Sequence, residues 1–90
     1  MTEVSRTVAL RNKRGLHARA SAKFVTMASE LPCPVKVRKD GYAVVGTSIM
    51  GLMMLGAAKG DSITISGEGD GAEEAVERLA ALVEDGFGED

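Results

Sequence analysis

Aromatic side chains are almost missing from this chain: Phe24, Tyr42 and Phe87 are the only three in 90 residues, and there is no tryptophan. A core built without them must be aliphatic, and single-stranded nucleic acid loses the ring faces on which its bases usually stack. Cysteine is as scarce. Cys33 stands alone, so no internal disulfide can form, and with no Cys or His at metal-ligand spacing it reads as a small apolar filler suited to a reducing compartment. No apolar run reaches membrane-spanning length, and the opening Met1-Thr2-Glu3-Val4-Ser5-Arg6 lacks the apolar stretch of a signal peptide. A cytoplasmic protein without membrane contact is expected. Histidine also occurs once, at His17, so a histidine-based metal site lacks its companions, and neither metal nor cofactor is expected.

What is present fits one domain over residues 1–90, with a core from about 4 to 87. The net charge of −2 conceals an asymmetry. Residues 1–39 hold nine of the eleven Lys and Arg against Glu3 and Glu30, while residues 40–90 hold the remaining acids against Lys59 and Arg78. The two parts carry +7 and −9, which suggests a basic face that steers acidic partners.

The hydropathy pattern divides the chain into seven elements. Residues 4–10 alternate as a strand with Val8 and Leu10 inward, and Asn12-Lys13-Arg14-Gly15 follows as a polar loop. From Ala18 the period becomes helical, with Ala20, Phe24, Val25, Met27, Ala28 and Leu31 on one side, until Pro32 and Pro34 end it. Two strands then flank Asp40-Gly41, a pair that supplies the positive φ angles of a two-residue turn and sets Val37 across from Val44. A short apolar helix from about Ser48 to Leu55 is closed by Gly56, and residues 61–66 alternate with Ile63 and Ile65 inward. The last helix opens on Asp70-Gly71-Ala72-Glu73, read as a capping box, and ends at Gly86. Its stripe is Ala72, Ala75, Val76, Leu79, Ala80 and Val83. The order βαββαβα, with one apolar side on every helix, predicts an α+β fold: a four-stranded sheet with its helices on one face and water on the other.

His17 falls between a glycine loop and a helix start. There the imidazole meets unpaired backbone N–H groups and the positive end of the helix dipole, which disfavour a further positive charge on the ring. A phosphoryl group on that ring would find donors in place, and Arg19 could add a guanidinium fork. Read alone, His17 could equally be an ordinary exposed cap.

The stretch Gly15-Leu16-His17-Ala18-Arg19-Ala20-Ser21-Ala22 resembles the active-site signature of HPr, the histidine-containing phosphocarrier family of the bacterial phosphotransferase system. Ser48-Ile49-Met50-Gly51-Leu52-Met53 resembles that family's regulatory serine motif, at the family's separation. The resemblance implies an open-faced β-sandwich with an antiparallel sheet. It implies that His17 is phosphorylated on Nδ1 by enzyme I and passes the group to an enzyme IIA domain, with Arg19 orienting the phosphate. It also implies Ser48 as a phosphoserine made in some bacteria by HPr kinase/phosphorylase. The chain departs from the family pattern in carrying Ala20 where most relatives have proline. The protein is expected to be a carrier, a substrate of its partners and not an enzyme, and monomeric.

The short helix is apolar almost all the way round, so a two-turn helix on a single-layer core cannot bury everything. Leu52 and Leu55 are expected to face the sheet, leaving Ile49, Met50 and Met53 as an exposed flexible patch. With Ala20 and Lys23 these are the residues expected to touch partners, Lys23 and Arg19 forming a basic rim. Two alternatives stay open: a paralogue devoted to nitrogen or carbon signalling without a role in sugar uptake, and a small nucleic-acid binding α+β domain. Against the second stand the few aromatics and the lack of an RNA-binding signature.

Overall fold

Alternation in the first strand is imperfect in an informative way. Val4, Arg6 and Val8 share one side of β1 (Glu3–Ala9), so an arginine stands among inward-facing residues. It stays at the edge by reaching across α3 (Ala72–Glu84), where its guanidinium pairs with Glu77 and, at 3.2 Å, with Glu84. The structure is a computed structural model and describes residues 3–89.

The remaining elements are α1 (Ala18–Ser29), β2 (Val35–Lys39), β3 (Tyr42–Val45), α2 (Ile49–Met54) and β4 (Ser62–Glu68), with a 3-10 turn over Gly86–Gly88 after α3. The expected βαββαβα order holds. The strands form one sheet ordered β1-β4-β2-β3, with every neighbouring pair antiparallel. That order could not be read from the sequence, because alternation reports which face a residue takes and not which strand lies beside it. The tight turn is as expected: Asp40 and Gly41 adopt φ of 50° and 86°, and Val37 pairs with Val44.

The three helices cover one face, as an open-faced sandwich requires. All six residues of the α3 stripe are buried, together with Phe24 of α1, Leu52 of α2 and Val37, Ile63 and Ile65 of the sheet. The other face is largely polar, with Val45 exposed on the β3 edge opposite Lys36. Arg38, Thr64 and Thr7 lie side by side across β2, β4 and β1, the two threonine hydroxyls 2.9 Å apart. Of the three aromatics, Phe24 and Phe87 are buried and Tyr42 is exposed.

One expected feature is overturned. No capping box opens α3: its N-cap is Gly71, at φ 82°, and no side chain caps the helix. The chain turns so close to Pro32 that a Cβ on Gly71 would stand 2.7 Å from the proline ring. A left-handed glycine is therefore required where a side-chain cap was anticipated.

Candidate functional site

Two loops and one helix end build the surroundings of His17. Gly15 adopts φ 61° with its Cα so near the segment after α2 that a Cβ would meet the Ala57 carbonyl oxygen at 2.3 Å. Only glycine fits there. The next residue, Leu16, is buried and donates its backbone N–H to the same Ala57 oxygen at 3.0 Å. The loop before His17 is thus pinned to the loop following α2. From below it is held by Ser21, fully buried, whose hydroxyl donates to the Leu16 carbonyl at 3.2 Å.

His17 is the N-cap of α1, with extended backbone (φ −74°, ψ 179°). Its Nδ1 accepts a hydrogen bond from the Arg19 backbone N–H at 3.2 Å, and its carbonyl accepts the first helical bond from Ser21. Imidazole nitrogen here performs the capping that a Ser or Asp oxygen usually performs. The ring is largely enclosed, its side chain 13% exposed. Its other nitrogen, Nε2, faces away from the helix and lies 2.7 Å from a carboxylate oxygen of Glu89.

Glu89 was not anticipated, nor was the part played by Asn12. Asn12 is buried and donates both amide N–H bonds, one to the Gly15 carbonyl at 2.8 Å and one to the other Glu89 oxygen at 3.0 Å. The Asn12 bond is the main reason the Glu89 carboxyl sits below its ordinary acid range, with the His17 contacts adding to it. The carboxylate arrives on the Gly86–Gly88 turn, which is anchored by the buried Phe87 and by a 2.7 Å bond from the Lys23 ammonium to the Phe87 carbonyl. Asn12 spaced three residues before a positive-φ glycine was the available hint, since asparagine readily brackets such turns. Glu89 belongs to no periodic element and left no such signal.

The expected site residues are placed unequally. Arg19 is exposed, and among the described residues its guanidinium pairs with no carboxylate. Lys23 is exposed but its ammonium is engaged by Phe87, so its share in a basic rim is reduced. Ala20 corrects the expectation directly: it is fully buried in the core, on the inward side of α1 one turn before Phe24, and can touch no partner.

Ser48 caps α2, its hydroxyl accepting the Gly51 N–H at 2.9 Å. Leu52 is buried and Leu55 half-buried, while Ile49, Met50 and Met53 are exposed, as the excess of apolar residues required. Met54 is the most exposed of all at 80%. It was overlooked because a helix of six residues offers too few turns to separate faces by period. No cluster of three or more His, Cys, Asp or Glu able to hold a metal occurs among the described residues, and no helix is long and apolar enough to cross a membrane.

The arrangement presents one imidazole nitrogen at a helix N-terminus, flanked by a guanidinium that pairs with no carboxylate among the described residues, beside an exposed methionine-rich helix. Comparison with known proteins finds relatives along nearly the whole chain. The family described as PTS HPr component, phosphorylation site, covers residues 4–85. The phosphocarrier protein HPr of Cupriavidus necator is 42% identical over 86 residues, spanning 96% of this chain and 97% of its own. The phosphocarrier protein NPr of Shewanella violacea is 37% identical, over 99% of this chain and 98% of its own. Among solved structures, HPr of Thermoanaerobacter tengcongensis superposes with a TM-score of 0.89 at 46% identity, covering 100% of this chain and 99% of that one, and a dimer of HPr from the same organism superposes at 0.75.

Proposed function

The chain belongs to the HPr family, the phosphocarriers of the phosphotransferase system, and on that premise we propose that His17 carries the phosphoryl group, on Nδ1. The protein is a carrier and not a catalyst, and HPr rather than a signalling paralogue is the reading its relatives favour.

The observation that supports Nδ1 is the division of labour between the two ring nitrogens. Nε2 is occupied by Glu89, while Nδ1 points at the N-terminus of α1. The Nδ1 lone pair would attack phosphorus as the donor's bond to phosphorus breaks, the leaving atom keeping that electron pair. The Arg19 N–H, now donating to Nδ1, would then serve a phosphoryl oxygen, as backbone donors at helix starts commonly do. Arg19 would bring its guanidinium to the remaining oxygens. The donor in this reading is enzyme I, charged from phosphoenolpyruvate, and the acceptor an enzyme IIA domain.

Ile49, Met50 and Met53 would form the docking patch with Arg19 beside it. Ser48 would be a regulatory phosphosite where the cell has HPr kinase/phosphorylase. The largely polar open face of the sheet supports a monomer, and the composition supports the cytoplasm.

Incubation with phosphoenolpyruvate and enzyme I tests the proposal. The wild type should gain one acid-labile, base-stable phosphoryl group. His17→Ala should gain none while keeping its fold, since losing an N-cap costs about 1 kcal/mol. Phosphorylation of His17→Ala by enzyme I would refute the assignment.

A further inference from the structure

Among the described residues two side chains are hydrogen-bonded to the Glu89 carboxylate, and both bonds are directed. Asn12 donates to one oxygen at 3.0 Å and His17 Nε2 meets the other at 2.7 Å. The Asn12 amide has no freedom to turn over, because its NH2 group serves two acceptors at once, the Gly15 carbonyl and Glu89. Reversed, its oxygen would face two other oxygens. The orientation is kept although it leaves the Asn12 carbonyl oxygen buried with no partner among the described residues, an arrangement that ordinarily costs free energy. The segment bringing Glu89 into place is fixed as well, by the buried Phe87 side chain and by the Lys23 bond to the Phe87 carbonyl.

We infer that Glu89 is a positioning residue for phosphoryl transfer, holding the His17 ring in the tautomer with its proton on Nε2 so that the lone pair lies on Nδ1. The inference rests on the reading of His17 as acceptor and adds to it a residue outside the signature. Two bonds demand the same tautomer independently. An ionised carboxylate can only accept, so Nε2 must carry the hydrogen, and the Arg19 N–H can only donate, so Nδ1 must present its lone pair. When Nδ1 forms its bond to phosphorus and the donor's bond breaks, the Nε2 proton stays and the ring gains positive charge. That charge then faces the Glu89 carboxylate. When the group moves on, the Nδ1–P bond breaks and its electron pair returns to Nδ1, with no proton moved. Carboxylate partners act on metal-binding and catalytic histidines in the same way, fixing tautomer and ring orientation.

Because His17 is the only histidine, labelling with ring-15N histidine reports on one imidazole. In the wild type, above the range in which the ring is charged, the 15N spectrum should show the proton on Nε2 and an unprotonated Nδ1. In Glu89→Ala a measurable fraction should move to the Nδ1–H form. Phosphorylation by enzyme I should slow about tenfold, the lower end of what losing such a partner costs. Glu89→Gln keeps an accepting oxygen without the charge; it should retain the wild-type tautomer and fall between the two in rate. If Glu89→Ala leaves the tautomer unchanged, or changes it without slowing transfer, the positioning role is wrong. A wild type that accepts no phosphoryl group would instead overturn the phosphocarrier assignment, while its 15N spectrum would still report whether Glu89 holds the ring.

Discussion

At the scale of single residues, His17 and Arg19 are fixed by different means. The imidazole is held through both nitrogens, whereas Arg19 is anchored by its backbone alone and leaves its side chain in solvent. Its role in the proposed transfer depends on a planar fork that lysine lacks. Arg19→Lys should therefore lower the transfer rate more than it weakens affinity for enzyme I; equal kinetics for the two proteins would make Arg19 a mere surface charge. Glu89 gives the site a dependence on pH with a definite sign. Its carboxyl ionises below the ordinary value of 4.5, chiefly through the Asn12 bond. The stabilisation it contributes is therefore complete above that value and is lost as pH falls through the lowered one. The Asn12 side-chain amide signals should stay constant on acidification to about pH 5 and shift only below the usual glutamate range. No such acid transition should appear in Glu89→Gln. Of these residues, His17 and Arg19 were legible because they lie together in one short signature. Asn12 and Glu89 were not, since 77 residues separate them and only the folded chain brings them together.

At the scale of elements, α2 carries the clearest conflict between local needs. Six residues cannot bury an all-round apolar surface, and the helix resolves this by sinking Leu52 and exposing Met50, Met53 and Met54. Ser48 begins it by accepting the Gly51 N–H, and at Gly51 itself a Cβ would come within 3.0 Å of the Ser48 hydroxyl and of Val44. Aspartate caps helices as well as serine does and adds a charge that the dipole favours. Ser48→Asp should thus melt no lower than Ser48→Ala. The charge would have to lose its water wherever a partner covers the patch, and it would repel partner acids meant for Arg19. Phosphorylation of His17 by enzyme I should therefore slow. A melting curve beside a transfer time course measures both, and transfer by Ser48→Asp at the wild-type rate would place the docking surface elsewhere. An apolar run between a Ser48 cap and the closing Gly56 located this helix and both its ends. Local pattern could not anticipate the opening of α3, where the nearby Pro32 ring and not local capping preference determines the backbone.

At the scale of the whole molecule, the open-faced design joins the two motifs. The signature loop and α2 are far apart in sequence, yet the Gly15–Leu16 backbone docks on Ala57 just beyond α2, and α1 packs against α2. The proposed acceptor nitrogen and the methionine patch are thereby carried on elements that pack together. Alternation and helical period sufficed for the element order and the buried stripe, because burying one side of each element is what builds a single core. They could not yield the β1-β4-β2-β3 order, which depends on crossovers, nor the return of the Gly86–Glu89 segment to the site, which depends on one aromatic anchor and three polar bonds. The central claim is that phosphorus is carried on Nδ1 of His17, with Nε2 turned toward Glu89. It is tested most directly by phosphorylating ring-15N-histidine-labelled protein with enzyme I and phosphoenolpyruvate and observing which nitrogen couples to 31P. The account predicts coupling to Nδ1 with the proton retained on Nε2; coupling to Nε2, or a phosphorylated protein with no 15N–31P coupling, would contradict it.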